Sequence, residues 1–390
     1  MQIVDVRTIQ LSYRCEQPYM SAGGIQRARS VLLVQIETDE GLVGLGEAGG
    51  PLGSTQVFVE QQLKPLLVGE DPLLVERLWQ KMFHRTRAIG RRGLVMYAIS
   101  GVDIALWDIV GKVAKLPLFR LFGAFRDTVE AYASGGFYQE GKDVAALARE
   151  AEGYVAQGFR AMKMKVGRNP STQTNTNLRE MQADHEMCVV SLDEDLARVE
   201  AVRKALGREA KLMVDANCVW SPALAIQMGK GMEPFDIYWL EEPVATDDVR
   251  GSAEVARALT TPIAGYETES GLYGFRELIE QGAVDVVQPD IARAGGFTEC
   301  RRIAALAQAY NLTVAPHAFS SAINLVASMH LLASLPNGLQ LEYDQNPNGL
   351  RTDLLKEPIT ADHHGSVKLP ERPGLGVELN PEAVERYRVG

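Results

Sequence analysis

The chain has no uninterrupted run of 18 apolar residues, so no membrane-spanning helix is expected. Its opening, "MQIVDVRTIQLSY", alternates like a strand and lacks the basic start and apolar run of an export signal. Cysteine is scarce. Cys15, Cys188, Cys218 and Cys300 contain no CxxC pair, which excludes a zinc knuckle or disulfide framework and makes a reducing cytoplasm the expected location. Positive charge is also short: 40 Lys and Arg stand against 50 Asp and Glu, a net charge of −10. That balance argues against nucleic acid or an anionic membrane as partner, while allowing a small anion in a local basic pocket. Gly44, Gly46 and Gly49 satisfy GxGxxG, but the surrounding strands form a hairpin and not a parallel βαβ unit, so no dinucleotide site is expected.

What is present is a globular composition, 46% hydrophobic, 23% charged and 7% aromatic, over 390 residues. That length suits two domains, or one barrel with an added piece. From Met1 to about Ala48 strands and turns dominate, with "MSAGGIQRARS" as a loop and Asp39-Glu40-Gly41 as a hairpin turn. Helical periodicity follows in "PLLVERLWQKMF" and "YAISGVDIALWDIVGKVA", which predicts an α+β domain over residues 1–125.

After it come eight short apolar runs ending on polar residues: "VEAYAS", "AMKMKVG", "KLMVDAN", "DIYWLEEP", "PIAGYE", "VDVVQPD", "LTVAPHA" and "LQLEYD". Nearly all are followed by a helical stretch, which predicts a TIM-type barrel over 126–350 with its chemistry at the carboxyl ends of the strands. Asp215, Glu241, Glu267, Asp290, His317 and Glu342 follow one another at 23 to 27 residues, one β/α unit each. The step from Lys165 to Asp215 is longer because of an insertion at 168–191, read as an oligomer contact or loop beside the active face.

Asp215, Glu241 and Glu267 end consecutive strands and converge on the barrel mouth, where three carboxylates repel unless a cation holds them. A hard, oxygen-preferring ion such as Mg²⁺ fits, with Mn²⁺ as a substitute. Glu242 is expected on the opposite face of its strand in a structural ion pair. Asn217 and Glu269 lie two residues beyond metal-binding candidates, near enough to support them or to touch substrate. Lys163 and Lys165 share one face of "AMKMKVG", an expensive place for two ammonium groups unless negative charge surrounds them.

"KMK", "VDAN", "LEEP", "GYE", "QPD" and "APHA", in this order, resemble the mandelate racemase branch of the enolase superfamily. "TDEGLVGLGEA" and "RPGLGVELN" are similar to that family's capping region, so the resemblance covers nearly the whole chain outside the insertion. It implies an α/β fold, a modified (β/α)7β barrel with an N-terminal capping domain completed by residues 351–390. It also implies Mg²⁺ on Asp215, Glu241 and Glu267, a basic pair in Lys163 and Lys165, an Asp290–His317 dyad, and Glu342 hydrogen-bonding the substrate carboxylate.

The expected reaction is removal of a proton next to a carboxylate. Lys163 is expected to add positive charge there and a protonated Glu342 to donate a hydrogen bond. Lys165, its pKa lowered by Lys163, is expected as one base, and His317, held by Asp290, as the other or, in dehydration, as the acid that helps hydroxide leave. Dehydration of an acid sugar to a 2-keto-3-deoxy acid is favoured; racemisation or epimerisation of a 2-hydroxy acid uses the same groups. Selectivity is expected in the cap, with Tyr19 and Arg27 beside Gly23-Gly24, and Arg85 within "HRTRAIGRRG". The expected partners are a small carboxylate substrate and further copies of the chain.

Overall fold

The computed structural model describes residues 1–174 and 187–389. Three antiparallel strands, β1 (Ile3–Ser21), β2 (Gly24–Thr38) and β3 (Val43–Ala48), form the cap sheet. The expected loop after Met20 is instead a continuation of the hairpin. Ser21 pairs with Gly24 across a two-residue turn, and Gly24 takes φ 152, which glycine adopts freely. The second turn lies where the Asp-Glu-Gly signal placed it, with Gly41 at φ 80 and its N–H on the Thr38 carbonyl.

The Leu94–Ala114 helix is long and apolar enough by composition to cross a membrane, but here it is the buried core of the cap, packed on β2 and β3. The packing explains the glycine motif. A Cβ on Gly44 would lie 2.2 Å from the Ala105 carbonyl oxygen, and one on Gly46 would lie 2.1 Å from that of Gly101. These glycines let a strand approach a helix; they cradle no phosphate.

Eight parallel strands form the barrel: β4 (Thr128–Ser134), β5 (Ala161–Lys165), β6 (Lys211–Asp215), β7 (Ile237–Glu241), β8 (Ile263–Gly265), β9 (Val286–Val287), β10 (Thr313–Val314) and β11 (Leu341–Asp344). They run in the order β10-β9-β8-β7-β6-β5-β4-β11, and a Val314–Gly338 bridge brings the two ends together. All eight predicted runs are present.

Tyr132, Ala161, Met213, Trp239, Ala264, Val286 and Ala315 fill the lower interior. Strand periodicity places the residue two positions on along the same face, so the next layer holds Ser134, Lys163, Asp215, Glu241, Gln288 and His317. β8 departs from the rule. Tyr266 turns outward to donate to the Ser252 hydroxyl at 2.8 Å, and Glu267 meets the groups of the upper layer in its place.

The oligomer contact or loop expected at 168–191 falls largely on residues 175–186, outside the described residues. Its base is pinned: Arg168 donates to the Ser21 carbonyl at 2.9 Å, and Asn169 donates to Asp195 at 2.9 Å.

The tail returns toward the cap. β12 (Ser366–Lys368) pairs with β4, and the Gly374 carbonyl accepts from Leu118. Beneath that junction His330 accepts from the Phe119 N–H and donates from Nε2 to the Leu375 carbonyl. Burial drives its pKa down to about 4. Because the folded value lies below the unfolded one near 6.5, the fold gains from neutral His330 above pH 6.5 and loses that gain as pH falls toward 4. Between pH 7 and pH 5 the loss is about 2 kcal/mol. Urea unfolding should therefore show a pH dependence flatter by that amount in His330→Gln; identical slopes would contradict the assignment.

Candidate active site

The parallel register sets Lys165 beside Asp215 and Asp215 beside Glu241 at the carboxyl ends of β5, β6 and β7. Lys163 is 1% exposed and lies among acids, in close contact with Glu241, 2.9 Å from Glu342 and 3.9 Å from Asp215. Lys165 pairs with Asp215. His317 Nδ1 meets Asp290 at 2.7 Å and Nε2 meets Glu267 at 2.9 Å. Arg293 reaches both Glu267 at 2.9 Å and Asp290 at 3.2 Å.

Six carboxylates (Asp215, Glu241, Glu242, Glu267, Asp290, Glu342) thus face four cations (Lys163, Lys165, Arg293, His317). With every group ionised, two negative charges would be left over. Burial, with Asp215 and Glu342 nearby, pushes Glu241 up to about 7 even against Lys163. Burial and the charges of Glu267, Asp215 and Glu241 push Glu242 to about 8. Elsewhere the pairing wins: burial would raise Glu267, but His317, Arg293 and Lys165 hold it well below its usual value.

This arrangement corrects the expectations for Glu342, Lys165 and Glu242. Glu342 is ionised, because Lys163, His317 and Lys165 overcome burial and hold it near 2; it accepts from Ser134 and from the Ala318 N–H. Lys165 is raised and not lowered, since Asp215 outweighs both burial and Lys163. His317 is an imidazolium, the form an acid needs, raised to about 10 against burial by Glu267, Glu342 and Asp290. Glu242 has no ion pair on the far face of the sheet: its backbone takes φ 44, turning the carboxylate to accept the Glu267 N–H at 3.0 Å.

Among the described residues no three His, Cys, Asp or Glu side chains form a ready cage for a metal ion. Lys163 bridges Asp215 and Glu241 instead. The donor chemistry nevertheless suits a hard divalent cation, because the acids are oxygen donors at the ends of three consecutive strands, and Glu241 and Glu242 titrate near neutrality, so a cation can replace their protons.

A cavity of 880 Å³ opens above this layer. Lys165, His317, Glu267 and Asn217 line it, as do Gly23, Gly24 and Arg27 of the cap hairpin; Lys163 lies beneath it. Asn217 donates from its backbone N–H to Asp215 at 2.8 Å. Two predicted substrate contacts lie elsewhere. Tyr19 is buried against Phe137, behind the cavity wall, and Arg85 is exposed on the Val75–Thr86 helix. Glu269 is taken by Arg92 at 2.8 Å.

Sequence reasoning missed Arg293 and Gln288, which donate to Glu267 and Glu241 at 2.9 Å each. The signal was their place in "VQPDIAR", two before and three after Asp290. It also missed Phe137 and Phe319, whose rings lie 5.1 and 5.9 Å from Lys165 Nζ.

Residues 3–123 match the mandelate racemase / muconate lactonizing enzyme N-terminal domain, and residues 146–383 match the enolase C-terminal domain-like family. The chain is 37% identical to an arabinonate dehydratase of Saccharolobus solfataricus, over 99% of each protein. It is 35% identical to a D-galactarolactone cycloisomerase of Agrobacterium fabrum, over 100% of this chain and 99% of that one. Among solved structures, a racemase from Streptomyces coelicolor A3(2) with bound magnesium superposes with TM-score 0.87 at 34% identity, over 99% of this chain and 100% of that one.

The charge pattern predicts unequal costs for two isosteric changes. Glu342→Gln leaves Lys163 short of a buried partner and should cost about 3 kcal/mol, whereas Glu242→Gln replaces a group already neutral at pH 7 and should cost about 1 kcal/mol or less. Urea unfolding at pH 7 in chelator measures both; equal losses would contradict the charge assignment.

Proposed function

Because this chain belongs to the mandelate racemase / muconate lactonizing enzyme family of the enolase superfamily, we propose that it dehydrates an aldonate or aldarate to a 2-keto-3-deoxy acid. The observation that carries this reading is that Lys165 and His317 open into one cavity with polar walls. Ser21, Gln26, Ser30, Asn217, Thr246 and Thr268 line it, groups suited to a chain of hydroxyls.

A magnesium ion, with manganese as a compatible substitute, would be held by Asp215, Glu241 and Glu267 and would supply positive charge for the developing carboxylate dianion. Lys165 takes the α-proton onto Nζ, and the electron pair moves into the carboxylate as an enediolate. The amine must first be neutral. Asp215 is the strongest influence raising Lys165, so any partner that shares the charge of Asp215 favours the base form.

His317 begins as an imidazolium with Nδ1 on Asp290, leaving Nε2 to protonate the β-hydroxyl as it departs. The enol product then becomes the ketone. Lys163 acts from below the cavity, holding Glu241 and Glu342 in place. Without a departing hydroxyl the same two groups return a proton to the α-carbon, the racemase or epimerase alternative.

Incubation with Mg²⁺ and a panel of aldonates and aldarates should yield semicarbazide-reactive 2-keto acid from one stereochemical group. Lys165→Ala and His317→Asn should each lower that rate by about 10²- to 10⁴-fold while Mg²⁺ affinity by calorimetry stays close to wild type. No keto acid from any member would overturn dehydration, and unchanged turnover in either variant would remove that residue from the mechanism.

A further inference from the structure

The Ala322–Ser334 helix is buried along nearly its whole length and reads AINLVASMHLLAS, so Asn324 and Ser328 are polar groups in an apolar element. Both have zero exposure. Such a site is unfavourable unless every polar atom finds a partner. Asn324 Nδ2 donates to Asp290 Oδ1 at 2.9 Å, and its Oδ1 accepts from the Ser328 hydroxyl at 3.2 Å. The carboxylate fixes which way round the amide lies, since it accepts only from the nitrogen, and the Ser328 hydroxyl then donates to the oxygen.

The other end of the arrangement lies in the cap. Glu47 of β3, with zero exposure, accepts the Asn324 backbone N–H at 3.1 Å and the Ser321 hydroxyl. Ser321 caps the helix by accepting the Ile323 N–H at 3.0 Å. On the barrel side Asp290 has one oxygen for each duty. Oδ1 is taken by Asn324 and by the Ala292 N–H at 2.8 Å, and Oδ2 faces His317 Nδ1 at 2.7 Å with Arg293 Nε at 3.2 Å beside it.

We propose that Asn324 is a positioning residue for the Asp290–His317 pair, held in turn by Ser328 and by Glu47, so that the cap strand and the acid side of the site form one hydrogen-bonded unit. The physical reason is rotational. A carboxylate with one oxygen doubly anchored cannot turn about its own axis, so Oδ2 stays aimed at Nδ1 and the imidazole keeps Nε2 toward the cavity. As a statement about catalysis it rests on the reading that His317 acts on substrate; as a statement about structure it does not.

The test uses the full chain labelled with [15N]histidine. His317 bonded to Asp290 should give a low-field Nδ1–H proton, assigned by its loss in His317→Asn. Asn324→Leu keeps the approximate shape but removes the donor, and Asn324→Ala removes both. Each should move that proton upfield or broaden it by faster solvent exchange, and should lower kcat for keto acid formation by about 10- to 100-fold with KM little changed. Ser328→Ala, a smaller change that keeps the helix, should shift the proton in the same direction by less, and serves if the Asn324 variants do not fold. Glu47→Gln, which keeps an acceptor, should remain close to wild type.

A His317 proton unmoved in every folded Asn324 and Ser328 variant would overturn the proposal, as would its absence from the wild type. If the proton moves but no acid sugar is turned over, the positioning role stands and the dehydratase reading falls.

Discussion

The structure is organised around an excess of buried acids over buried cations. Six carboxylates and four cations share the upper barrel layer, and nearly every other feature of the site follows from their compensation. Removing a charge from water costs several kcal/mol unless a partner replaces the lost solvation, so each ammonium, guanidinium and imidazole lies against an acid. The two acids left with the least compensation, Glu241 and Glu242, are those that titrate near neutrality. Such a layer favours ligands that bring positive charge, and it poises lysine and histidine to exchange protons once that charge arrives.

The rest of the chain makes the layer rigid and closes it. Two-residue strand periodicity lifts the polar side chains above an apolar plug that includes Met213 and Trp239. The β1–β2 hairpin supplies Gly23, Gly24 and Arg27 as a wall of the cavity, while Arg168 ties the end of β1 to the base of the insertion. The β3 glycines let the Leu94–Ala114 helix approach closely enough to hold the cap sheet, and β3 carries Glu47 onto the helix that supports Asp290. Cap and barrel therefore share a site: one gives its wall, the other its chemistry.

Much of this could be read from the sequence because strands reveal themselves by where they end. Lys165, Asp215, Glu241 and His317 follow apolar runs, and a parallel barrel leaves few places for such residues except the mouth. Protonation was a different matter. The states of Glu342 and Lys165 depend on how acids and cations surround each other, a sum over side chains from several strands that no local pattern displays. Glu242 was misplaced because alternation assumes an extended backbone, and its φ of 44 breaks it. Arg85 drew attention as one of a cluster of arginines, yet the helix ends at Thr86, the other arginines follow in a turn, and Arg85 faces solvent.

The central claim is that this excess of acids forms a site for one divalent cation. Calorimetric titration of the purified chain with Mg²⁺ at neutral pH tests it most directly, alongside the same titration of Glu241→Gln. The account predicts one ion per chain in the wild type and binding weakened at least 10-fold in the variant. No binding to the wild type, or undiminished binding to the variant, would contradict it.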